Sequence, residues 1–165
     1  MHTDHQAASP VEPGADPEYV REQTGKVIAA FLTDEPLEGR LEEAKRETST
    51  PAMGAVVTFE GVVRDHDGGA GVKALTYSAH PSAASVMHEV AGEVIAHHPQ
   101  ARIWAAHRTG DLQVGDVAFL VVVAAAHRAG AFGALIEVVD EVKARVPVWK
   151  DQERADGSHQ WVGLE

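Results

Sequence analysis

The stretch VAFLVVVAAAH, Val117 to His127, decides how this chain folds. It is apolar from Val117 to Ala126, with no polar residue at every second place. Alternation marks a strand with one wet face, so an unbroken run marks a strand covered on both. It is also too short to cross a bilayer, which takes about 20 apolar residues. A helix follows from about Ala129 to Arg145, with Phe132, Leu135, Val138, Val139 and Val142 as its apolar stripe and Pro147 as its stop. Working outward, Arg102 to His107 reads as a strand and Gly110 to Gly115 as a turn. From Pro81, residues Ala84, Met87, Val90, Ala91, Val94 and Ile95 recur at helical spacing. Val27 to Leu32 predicts a strand and 37–46 a short helix. Gly54 to His66 and Val72 to Tyr77 predict a hairpin with Arg64 and His66 at its tip. Val148 to Lys150 and Gln160 to Val162 predict short late strands, the second an edge. Strands and helices mix without strict alternation, so the expected class is α+β.

The chain has 165 residues and no cysteine, which excludes disulfides, thiolate metal sites and cysteine nucleophiles. Residues 1–24, with Pro10, Pro13 and Pro17 among small and acidic residues, read as a disordered leader, and 25–165 as a single domain. No early apolar run resembles a signal peptide. The expected location is cytoplasmic, with no membrane partner. Fourteen basic against 25 acidic side chains give a formal charge of −11, an unsuitable field for nucleic acid. An anionic ligand would need a local cluster of cations.

Ten histidines form no HExxH or HxH pattern, and no metal or cofactor is expected. His97 and His98 end a helix and would point in different directions. His127 and Arg128 stand where the apolar strand gives way to a helix, a place where free backbone N–H groups and the dipole attract anions. A histidine cap beside a solvated arginine explains them equally well. Arg64 alone reads as an exposed loop cation. In VKARVPVWK (Val142 to Lys150), Lys143 falls in a last helical turn, where the dipole favours any lysine. Lys150 beside Trp149 could be a stem lying over an indole. Four separate segments holding such cations point together to a pocket for an anionic small molecule.

GAVVTFEGVVRDH, AAHRTGDLQVGD, AAAHRAGAF, VKARVPVWK and DGSHQWV, in that order over roughly 26–162, resemble the catalytic large subunit of molybdopterin synthase. The resemblance implies an α/β-hammerhead with an additional antiparallel sheet. It implies a sulfurtransferase that converts cyclic pyranopterin monophosphate (precursor Z) to molybdopterin by installing its two dithiolene sulfurs. The sulfur would come from the C-terminal Gly-Gly thiocarboxylate of a small ubiquitin-like subunit, with a homodimer of this chain at the centre of a heterotetramer. Lys143 and Lys150 match the family's essential lysines. Arg64, His127, Arg128 and Gln152 match substrate-pocket positions, and Val62 and Val63 would approach the ligand through backbone. Two positions depart from the family pattern: Ser78 and Gln152 stand where glutamates are usual. They favour the alternative of a non-catalytic paralogue that binds a ubiquitin-like carrier or a pterin without turnover. A phosphate-binding hydrolase is the third reading, and the sequence offers it no carboxylate dyad.

Overall fold

The computed structural model describes residues 16–67 and 69–163. It opens with helix α1 (Pro17–Gln23), whose cap Asp16 accepts from the Glu18 N–H at 3.0 Å while Pro17 occupies the first turn. An N-cap aspartate followed by proline is a strong helix start. The last third of the expected leader is therefore helical, and residues 1–15 lie outside the described residues.

The elements then run β1 (Lys26–Thr33), a 3₁₀ turn (Glu38–Arg40), α2 (Leu41–Thr48), β2 (Ala55–Val62), β3 (His66–Asp67), β4 (Ala70–Ala79) and α3 (Ala83–His97). After these come β5 (Ala101–Arg108), β6 (Gly110–Gln113), β7 (Val117–Ala125), α4 (Arg128–Arg145), β8 (Val148–Arg154) and β9 (His159–Gly163). One sheet has the order β1-β5-β7-β2, with β1 parallel to β5 and the other pairs antiparallel. The second is antiparallel, in the order β3-β4-β8-β9, with β6 also on β4. This is the α+β class expected. Among the described residues no helix is long and apolar enough to cross a membrane.

The apolar run explains itself in this frame. All nine residues of β7 are buried. Phe119, Val121 and Val123 face the core formed with α3 and α4, while Leu120 and Val122 join Trp104, Leu37 and Ala44 on the side of α2. Each such side chain contributes about 1.5–3 kcal/mol through burial.

Three expectations need correction. Residues 54–66 and 72–77 do not form one hairpin: β2 pairs with β7, and only His66 and Asp67 pair with β4. The chain changes sheets just after a register shift between Gly61 and Val62, where Gly61 lets the strand bend. The segment 110–115 is not all turn, because Gly110–Gln113 is strand β6 against β4. The helix expected over 37–46 begins as a 3₁₀ turn and runs on to Thr48.

Candidate functional site

The crossing between the two sheets leaves a cavity of about 610 Å³. Its wall comes from β2 and β7 of one sheet (Phe59, Gly61, Phe119) and from β4, β8 and β9 of the other. Lys143 reaches it from the last turn of α4, with Nζ 5.7 Å from the centre of the Phe59 ring. Lys150 reaches it from β8, two residues past the start of the strand that follows Pro147. Proline ends the helix and starts the strand, and that corner carries both lysines to one hollow. Arg64 and Val62 line it too. Against the cations Arg64, Lys143 and Lys150 stand the carboxylates of Glu60 and Asp67, three against two, so the wall is net positive in a chain of charge −11.

Asp67 organises the far side. Its Oδ2 accepts from Gln152 Nε2 at 2.7 Å and lies 3.4 Å from Lys150 Nζ, while Oδ1 lies 4.0 Å from the Arg64 guanidinium. The hydrogen bond from Gln152 and the charge of Lys150 hold its carboxyl below the usual range against the opposing effect of burial. Gln152 is buried, so a glutamate there would set two carboxylates against each other. The acid-to-amide departure is thus matched by a carboxylate from the hairpin tip. Gln152, Val63, Arg64 and Lys150 also share a smaller hollow of about 70 Å³ beside the main cavity. Val63 is buried, its N–H donates to the Asp116 carbonyl and its C=O accepts from the Gly115 N–H, both at 2.9 Å. Its backbone donor is thus not available to a ligand, unlike the reading given for Val62 and Val63 together.

Sequence reasoning missed three residues here: Asp67, Tyr77 and His107. Tyr77 and His107 both line the cavity and pack edge to face, ring centres 4.8 Å apart. Burial, with the charge of Asp67 adding, pushes the Tyr77 hydroxyl up to about 12. Burial pushes the His107 imidazole down to about 4, aided by the charge of Lys143 and opposed by its hydrogen bond to the Arg108 carbonyl. The signal was a histidine directly after the apolar run Ile103 to Ala106 in a predicted strand, which is unusual enough to mark.

His127 and Arg128 lie elsewhere. They open α4, and from Arg128 to Lys143 the helix rises about 22 Å. His127 lines a separate hollow of about 390 Å³ with His97 and His98. Those two rings do not diverge as expected. Both bond to Glu137 of α4, His97 through Nδ1 and His98 through Nε2, the latter at 2.7 Å. Ser78 is exposed on β4, opposite Trp149.

Comparison with known proteins fits this geometry. The family model described as MoaE protein matches residues 32–145. Molybdopterin synthase catalytic subunit 1 of Mycobacterium tuberculosis is 38% identical over 133 residues, 80% of this chain and 88% of that protein. The molybdopterin synthase catalytic subunit of Pyrococcus abyssi is 41% identical over 134 residues, 79% of this chain and 88% of its own length. The crystal structure of molybdopterin synthase from Staphylococcus aureus superposes with a TM-score of 0.72 at 31% identity, over 86% of this chain and 97% of that one. The matched stretch includes β2, β4, β7 and α4 with Lys143, and stops short of β8, β9 and Lys150. The chain belongs to the MoaE protein family, that of molybdopterin synthase catalytic subunits.

Proposed function

We propose that this chain is the catalytic subunit of a cytoplasmic molybdopterin synthase. It would move sulfur from the C-terminal thiocarboxylate of a small ubiquitin-like subunit to cyclic pyranopterin monophosphate, forming the dithiolene. The observation that carries the reading is the cavity shared by Lys143 and Lys150, with Arg64 at its rim. A volume of about 610 Å³ suits a small molecule, and the positive wall suits a cyclic phosphate and a thiocarboxylate tail.

Lys143 is the cation for the thiocarboxylate carbon. Once the thiocarboxylate sulfur has displaced an oxygen substituent from a carbon of the pterin side chain, water attacks the acyl carbon and the acyl carbon–sulfur bond breaks, leaving the sulfur on the pterin and the carrier as a carboxylate. The intermediate bears an oxyanion, and a fixed ammonium at the apolar end of a cavity stabilises it far more than bulk water would. Lys150, held by Asp67, is the proton donor and the partner on the phosphate side. Gln152 keeps Asp67 in place, and Val62 contributes wall.

His127 and Arg128 are part of the same reading only if two copies meet. A helix that rises about 22 Å between Arg128 and Lys143 keeps them out of one chain's cavity. In a homodimer, the N-terminal end of α4 from one copy can complete the cavity of the other, with backbone N–H groups, imidazole and guanidinium turned to the phosphate.

Mixing the purified protein with thiocarboxylated carrier and cyclic pyranopterin monophosphate tests this proposal. Dithiolene product is expected. A complex that forms without product selects the binding-only reading, and absence of any complex removes both.

A further inference from the structure

The proposed mechanism leaves His107 without a task, although few polar side chains among the described residues are so deeply buried. It is 3% exposed on β5 and sits between two rings, Tyr77 of β4 at 4.8 Å and Phe119 of β7 at 5.4 Å. Its Nδ1 lies 2.7 Å from the Arg108 carbonyl oxygen. A carbonyl only accepts, so Nδ1 carries the ring proton and donates it. In the neutral ring, Nε2 is then a bare acceptor on the opposite edge of the imidazole. The ring lines the same cavity as Lys143, and Phe119 in turn packs against Phe59, over which Lys143 Nζ rests.

We propose that His107 is a positioning residue for the sulfur-transfer reaction, its Nε2 accepting a hydrogen bond from the Lys143 ammonium when the carrier tail is bound and fixing that charge against the acyl carbon. The proposal rests on the reading that Lys143 serves the thiocarboxylate. A neutral acceptor suits that task better than either alternative. A carboxylate would pair with the ammonium and cancel the charge the oxyanion needs, while a protonated imidazole would repel it. The imidazole is kept neutral by its burial and by Lys143 itself. So weak a base does not take a proton from an alkylammonium, and the residue orients Lys143 without discharging it. Lysine, with four rotatable bonds, needs such a tether more than a shorter cation would.

The test compares His107→Phe, which fills the space without an acceptor, with His107→Gln, which returns one. Both are assayed for sulfur transfer with thiocarboxylated carrier, alongside Lys143→Ala. In His107→Phe, kcat is expected to fall by up to about a hundredfold, with the carrier Kd and the KM for the pterin unchanged. His107→Gln is expected to recover much of that loss. Wild-type kcat in His107→Phe overturns the proposal while an inactive Lys143→Ala leaves the reading of the lysine standing; an active Lys143→Ala removes both. Should His107→Phe not fold, nitrogen NMR of the wild-type imidazole decides. The proton is expected on Nδ1, and in the complex with the carrier the Nε2 resonance is expected to shift in Lys143→Met. An Nε2 signal indifferent to that substitution contradicts the contact.

Discussion

Asp67 ties together three side chains that sequence reading treated separately, and it accounts for the residue that departs from the family pattern. With Gln152 Nε2 at 2.7 Å, Gln152→Glu places a second carboxylate beside it and is expected to cost roughly 1–3 kcal/mol. Combined with Asp67→Asn, the same substitution merely exchanges amide and acid, so the double variant is expected to recover most of the stability and the sulfur-transfer rate. A urea-melt double-mutant cycle reads the coupling, and additive losses would contradict it. His107 gives a pH prediction. Its folded-state value near 4 lies below the ordinary 6.5, so the unfolded chain binds the proton more readily. Stability from keeping it neutral is complete above about 6.5 and is lost as pH falls toward 4, by about 3 kcal/mol in all. Exposed His97, raised by its hydrogen bond to Glu137, acts in the opposite sense. Urea midpoints measured across that range should fall with acid, and His107→Phe should flatten the curve. The bonds of Asp67 were not legible in advance, and His107 showed only as a polar residue after an apolar run. Lys143, Lys150 and Arg64 stand out as cations in an acidic chain, whereas Gln152 and Lys150 reach Asp67, and Tyr77 and Phe119 reach His107, from strands apart in sequence.

At the scale of elements, the run from β7 through α4 was readable because its signals are local: an unbroken apolar stretch, a 3.6-residue stripe and a proline stop. The pairing of β2 was not. Residues 54–66 and 72–77 look like hairpin partners because a glycine-rich turn joins them, and nothing in their own pattern says that β2 belongs to a different sheet. Strand β6 was hidden for a similar reason, since four residues with glycines nearby carry more turn signal than strand signal. The bend at Gly61 joins the two sheets around the cavity. A Cβ there would stand 3.2 Å from the Phe59 ring and 3.3 Å from the Phe119 Cβ. Gly61→Ala is therefore expected to cost about 1–3 kcal/mol by overpacking. It should also lower sulfur transfer beyond what its thermal shift explains, because Phe59 is the seat of Lys143. Activity that stays at the wild-type level in a folded variant would show that the seat tolerates the shift.

The whole molecule sets a −11 chain around a cavity whose wall is net positive, so the field that would draw an anion is local and the global charge conceals it. The family resemblance anticipated Lys143, Lys150, Arg64, His127 and Arg128 as one pocket, and a single chain divides them between the two ends of α4. In the proposed homodimer the working cavity is built by two copies, the lysines from one and His127 and Arg128 from the other. Mixing two variants expected to be inactive, Lys143→Ala and Arg128→Ala, decides whether the cavity is shared. Random exchange makes half the dimers mixed, each with one intact cavity, so the mixture is expected to regain about a quarter of wild-type sulfur transfer although neither variant alone supports it. A mixture that stays as inactive as its components after subunit exchange, or an Arg128→Ala protein that is itself fully active, would show that the cavity is not shared between copies.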